Sequence, residues 1–151
     1  MFRNSYTLSS GRSKVVQAIN LGEAHFVSSH ADSHEEGLEW LRCALKDASS
    51  SGLLDLKAAA LRGLVNHLSL LCEDGGVEHS DARMKEGVRH RKQLIESLQT
   101  MRGSPQGGEC PISMEAFTDT SLVVVLECYH IMHKTAWNQY VRLTVCVCVC
   151  V

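Results

Sequence analysis

The side chains able to do chemistry in this chain gather in its last third. Glu109-Cys110-Pro111-Ile112-Ser113-Met114 opens the stretch, the apolar run Leu122-Val123-Val124-Val125-Leu126 follows, and Cys128-Tyr129-His130-Ile131-Met132-His133 comes next. Cysteine thiolate and histidine imidazole are the groups that zinc takes, four to a tetrahedron. The Cys-x-His-x-x-His run from Cys128 to His133 holds three such groups. Nothing in the chain reads as a catalytic triad. No P-loop or dinucleotide fingerprint is present, so nucleotide chemistry has no support.

A Cys-Pro-Ile opening, a short strand, a Cys-x-His-x-x-His run and then an amphipathic stretch resemble the front half of a RING-type domain. In that family two zinc sites interleave along the chain, and metal binding supplies folding free energy that so small a core lacks. The resemblance covers residues 109–143. It implies that Cys110 stands at the first ligand position, Cys128 and His130 at the third and fourth, and His133 at the fifth. Ser113 and Ala136 stand where the second and sixth ligands, normally cysteine, are expected. The first site therefore loses two of its ligands. Relatives that lack this site hold that half together by hydrogen bonds and packing. The segment is similar to these: the SP-RING of SUMO ligases, nearest the SUMO-ligase subunits of SMC complexes, and the variant RING of CTLH-type ubiquitin ligase complexes.

The resemblance implies an E3 ligase subunit that promotes ubiquitin or SUMO transfer by holding a charged E2 enzyme in a reactive arrangement. Such a module works by positioning rather than by acid–base chemistry. It implies zinc as the cofactor, an E2 as partner, and an E2-facing surface at Ile112, Trp137 and Tyr140. The surviving zinc site needs a further cysteine pair downstream, and the chain instead runs Cys146-Val147-Cys148-Val149-Cys150-Val151. A translated TG dinucleotide repeat encodes this Cys-Val alternation. We expect the RING-like element to be truncated there and its ligase activity impaired. The alternative is a non-enzymatic helical scaffold carrying a degenerate RING.

The elements that must position these residues lie upstream. Residues 1–32 are rich in Ser, Gly and Asn and read as mostly disordered, with a short helix around Val15 to Leu21. Ser33 followed by Glu36 reads as a capping box. The helix it opens, with Leu38, Leu41, Ala44 and Leu45 at helical spacing, should reach Ala48 and break at Ser49–Gly52. A second helix, Leu53 to Cys72, carries Leu54, Leu61, Leu64, Val65, Leu68 and Leu71 on its apolar face. A third, from Ser80 or Asp81 to Met101, buries Leu94, Ile95 and Leu98. It turns Arg83, Lys85, Arg89, Arg91 and Lys92 to solvent. Residues 104–108 read as a linker. The expected fold is a mostly α helical region over 33–103, followed by a small, incomplete α+β element over 109–143 and a low-complexity tail over 144–151.

Composition sets outer bounds. The chain has 151 residues with a formal net charge of -2, which gives no global case for nucleic acid as a partner. Aromatic residues are only 5%, so the core must rest on Leu, Val and Ala. Cys43 and Cys72 read as buried free thiols, and His25, His30 and His34 as solvent-exposed. No apolar run approaches the length needed to span a bilayer. A nuclear or cytoplasmic location follows from the resemblance. Arg3, Arg12 and Lys14 ahead of the first acidic residue, Glu23, give a weak mitochondrial presequence signal. The helical region is expected to dock on a larger protein complex.

Overall fold

The structure, a computed structural model, describes residues 11–27, 31–74, 77–103 and 108–144. It contains helices α1 (Gly11–Val27), α2 (Ala31–Ser50), α3 (Leu54–Asp74) and α4 (Val77–Arg102). The antiparallel strands β1 (Val123–Val125) and β2 (Ile131–His133) follow, and then helix α5 (Lys134–Thr144). The expected mostly α chain with a small α+β element at its end is what the fold displays. No described helix is long and apolar enough to cross a membrane.

The first difference from the sequence reading is α1. A stretch read as mostly disordered, with a short helix around Val15 to Leu21, forms a helix of 17 residues with Val15, Ala18, Ile19 and Gly22 buried. Those positions follow the i, i+3, i+4, i+7 rule of a single apolar face. Glycine lets α1 approach α2 closely: a Cβ added at Gly22 would sit 2.6 Å from Leu41 Cγ. A Cβ at Gly37 would meet the Gly22 carbonyl oxygen and the Phe26 ring, each at 2.9 Å. Residues 1–10 and 28–30, part of the segment read as disordered, lie outside the described residues.

Helix α2 begins at Ala31, so Ser33 lies inside it and does not cap it. Its hydroxyl instead donates to the His25 carbonyl at the end of α1 (3.2 Å) and meets His25 Nδ1 at 2.8 Å. The helix ends in a Schellman motif. Gly52 takes φ 67°, the Leu53 N–H donates to the Ala48 carbonyl (2.9 Å), and the Gly52 N–H donates to that of Ser49 (3.4 Å). Leu38, Leu41, Ala44 and Ala48 are fully buried, while Cys43 is exposed and Cys72 only half-buried. The expectation of two buried thiols therefore fails. Cys43 sits two positions past Leu41 and falls on the opposite face of α2.

Helix α3 is the wall shared by two apolar clusters. Ala60, Leu64 and Leu68 join Val15, Ala18, Leu38 and Leu41 in the first. Ala58, Leu61 and Val65 join Leu94 and Leu98 of α4 and Val123, Val125 and Ile131 of the sheet in the second. That second cluster draws side chains from both sides of the expected linker, of which residues 104–107 lie outside the described residues. Ahead of it, α4 stops at Gly103 (φ 64°), whose N–H donates to the Gln99 carbonyl at 2.9 Å.

Candidate functional site

Two tight turns carry Cys110 and Cys128. In the first, the Cys110 N–H donates to the Glu115 carbonyl (2.9 Å) and the Met114 N–H to that of Cys110 (2.8 Å). Met114 closes it with φ 58°. In the second, β1 and β2 pair Val123 with His133, Val124 with Met132 and Val125 with Ile131. The connection is fastened by the Leu126 N–H to the His130 carbonyl (3.0 Å) and the Tyr129 N–H to that of Leu126 (2.9 Å). Tyr129 takes φ 67°. A left-handed residue reverses the chain sharply, and here it lies between Cys128 and His130.

The first turn and β2 meet through Cys110 and His133. Cys110 is fully buried, and its Sγ accepts the His133 N–H at 3.3 Å. The His133 ring spans two hydroxyls: Nδ1 lies 3.0 Å from Ser113 Oγ and Nε2 3.2 Å from Ser121 Oγ. A hydroxyl both donates and accepts, so either neutral tautomer is satisfied. Phe117 leans on the ring at 4.8 Å between centroids, tilted by 56°. Burial pushes the Cys110 thiol upward. The converging N–H groups of Ser113, His133 and Ile112 and the Ser113 hydroxyl outweigh it and bring the thiol to about 6.

The second turn places Cys128 Sγ 3.1 Å from His130 Nδ1, with both residues exposed. The four residues expected as metal ligands thus come together as two pairs, Cys110 with His133 and Cys128 with His130. Among the described residues no group of three or more His, Cys, Asp or Glu side chains could hold a metal ion. The first pair does not fit a zinc site. Both ring nitrogens of His133 already face hydroxyls, and Ala136, 8% exposed, offers no ligand atom. The second pair offers two of the four ligands zinc requires. The tail cysteines Cys146, Cys148 and Cys150 lie outside the described residues.

Ile112 and Trp137 are half-buried, and Tyr140 is 48% exposed and stacked on Trp137 at 5.9 Å. None of the three belongs to either apolar cluster. Met114, a neighbour of Ile112 on the first turn, is 73% exposed.

Several residues that hold this element in place escaped the sequence reading. Asn66 of α3 donates from Nδ2 to the Val125 carbonyl (2.9 Å) and accepts the Val125 N–H at Oδ1 (2.7 Å). Arg91 was expected on a solvated basic face, yet it is 4% exposed. It donates to the carbonyls of Thr118 (2.9 Å) and Ser121 (3.4 Å) and lies over the Phe117 ring at 5.5 Å. Burial lowers its affinity for the proton, opposed by the charge of Asp119. Arg62 and Arg102 lie 5.6 and 5.3 Å from the Tyr129 ring centroid, and Arg102 also donates to the Cys128 carbonyl (3.2 Å). One signal for Arg91 was present: it stands three and seven positions before Leu94 and Leu98, on the buried face of α4.

No protein-family model matches the chain, and no curated protein or solved structure matches it.

Proposed function

We propose that residues 108–144 form an E2-docking element of a RING-type ligase subunit, carried on the α1–α4 scaffold. The observation that carries this reading is the cross-link between Cys110 and His133. It ties a Cys-Pro-Ile turn to the strand after the Cys-x-His turn through hydrogen bonds rather than through a metal. The docking surface would be Ile112 with Trp137 and Tyr140, which no core cluster claims. Its task is to hold a thioester-linked ubiquitin or SUMO in a reactive arrangement, which needs preorganised contacts and no nucleophile. Zinc, where bound, would take Cys128 and His130 as two of its ligands and would stiffen the second turn.

The test is single-turnover discharge of charged ubiquitin and SUMO E2 enzymes with wild type and Ile112→Asp. Acceleration by wild type that is lost in the variant supports the reading. No acceleration with any E2, in protein shown to be folded, refutes it.

A second reading is a helical scaffold in which the C-terminal element serves only as packing. The second apolar cluster favours it, because Val123, Val125 and Ile131 complete the core of α3 and α4.

A further inference from the structure

Where α3, α4 and the start of β1 meet, a cleft opens to solvent. It spans about 250 Å³, its mouth included, below the roughly 300–1,000 Å³ of pockets that take drug-sized ligands. Leu68 of α3, Val88 of α4 and Val123 of β1 give it apolar walls. Arg83 and Arg91, both on α4, are its charged lining, and no Asp or Glu lines it.

Arg91 is 4% exposed. Its guanidinium meets the Thr118 and Ser121 carbonyls and the Phe117 ring, while the nearby Asp119 carboxylate pairs with Lys92 at 3.5 Å. Buried charges are ordinarily paired. Carbonyl dipoles satisfy N–H groups, but they leave the positive charge of Arg91 without a carboxylate at ion-pair distance among the described residues. Arg83 is only partly neutralised, because Glu35, 3.6 Å away on α2, is shared with Arg42 at 3.4 Å.

Gly87 helps to keep the cleft open. It lies in the middle of α4, where glycine costs about 1 kcal/mol of helix stability against alanine. Packing does not require it. A Cβ at Gly22 or Gly37 would clash at 2.6 or 2.9 Å, whereas one at Gly87 would meet Leu68 Cβ at an ordinary 3.7 Å. The missing side chain instead leaves room in the cleft that Gly87 lines.

A buried guanidinium without a counter-ion, a second guanidinium, apolar walls and open space together call for an anion with an apolar stem. We propose that this cleft binds a short aliphatic monocarboxylate, its carboxylate toward Arg91 and Arg83 and its stem among Leu68, Val88 and Val123. A carboxylate matches the planar guanidinium fork and carries the single charge that Arg91 leaves unmet. Phosphate lacks the stem and brings excess charge into an apolar cleft. Because the walls come from α3, α4 and β1, the bound ligand fastens the cysteine-bearing element to the helices. The cleft shares no residue with Ile112, Trp137 and Tyr140, so the site stands independently of E2 docking.

The test is an NMR titration of the labelled full chain with sodium butyrate at constant ionic strength, against butanol and inorganic phosphate. Butyrate should shift the amides of Gly87, Val88, Leu122 and Val123 and saturate at millimolar concentrations. Butanol and phosphate should bind at least about tenfold more weakly. Gly87→Leu, which fills the cleft and leaves both arginines in place, should weaken butyrate binding at least about tenfold. Arg83→Gln should weaken it about threefold. No saturable shift with butyrate overturns the proposal. Equally tight binding of phosphate marks an adventitious ion only, and equally tight binding of butanol an apolar dent, and either result overturns it. So does undiminished butyrate binding in Gly87→Leu. Should that variant fail to fold, undiminished binding in Arg83→Gln overturns the proposal in its place.

Discussion

Asn66 and Val125 exchange two hydrogen bonds, the side-chain amide of one pairing with both backbone polar groups of the other. The amide does for β1 what a neighbouring strand would do. Asn66 thereby fixes the sheet of the cysteine-bearing element to α3, next to the apolar contacts of Leu61 and Val65 with the strands.

Replacing Asn66 with Ala should leave the N–H and carbonyl of Val125, itself 2% exposed, without partners. The expected loss is about 1–3 kcal/mol of stability. Chemical denaturation gives the total. Faster exchange of the Val125 amide, with α1 unaffected, would locate the loss at this joint.

Arg91 should show an unusual order of substitutions. Its guanidinium is buried against carbonyls and an aromatic ring, so it gains hydrogen bonds but carries a desolvated charge. Arg91→Met removes both and should cost about 1 kcal/mol. Arg91→Lys keeps the charge and loses the planar fork that reaches both Thr118 and Ser121, so it should cost more. Equal stabilities of the two variants in urea titrations would count against this account.

The α2–α4 contact should weaken in acid. Arg42 Nε and Nη2 each lie 2.9 Å from the Glu86 carboxylate, and His90 Nε2 lies 3.3 Å from it. The Arg42 guanidinium holds the Glu86 carboxyl below its usual range, against the opposing effect of burial. A carboxyl lowered in this way stabilises the fold above its unfolded range, and that contribution disappears as pH falls through its folded range. Arg42 is 37% exposed, so solvent screening keeps the effect near ~1 kcal/mol or below. Melting temperature followed from pH 6 to pH 3 should fall more steeply in wild type than in Glu86→Gln.

Gly22→Ala tests the close seat of α1. The added Cβ would meet Leu41 Cγ at 2.6 Å and the Gly37 carbonyl oxygen at 3.0 Å. A methyl group in that space should cost about 1–3 kcal/mol despite alanine's better helix propensity. A stabilised variant, measured by thermal unfolding, would mean that α1 sits further from α2 than described.

The three long helices after residue 30 were legible because Leu38, Leu41, Leu61, Leu64, Leu68, Leu94 and Leu98 are large and regularly spaced. The run Val123–Val125 was legible as a strand. Helix α1 was not. Its buried set includes Ala18 and Gly22, small residues among Ser, Asn and Gly, and its docking depends on glycine contacts that no local pattern announces. Arg91 and Asn66 were missed for a related reason. Their partners are backbone groups of Thr118, Ser121 and Val125, and a backbone acceptor looks the same at every position of a sequence. Ser33 carried a capping signature but faces the end of α1, because tertiary contact outweighed the local motif.

The most direct test of the docking surface is an NMR titration of labelled protein with uncharged ubiquitin and SUMO E2 enzymes. One of them should shift the amides of Ile112, Met114, Trp137 and Tyr140 and leave α1 and α2 unmoved, with binding weakened at least about tenfold, or ~1.4 kcal/mol, by Ile112→Asp. Shifts confined to the α1–α4 surface, or none with any E2, would contradict the proposed docking surface.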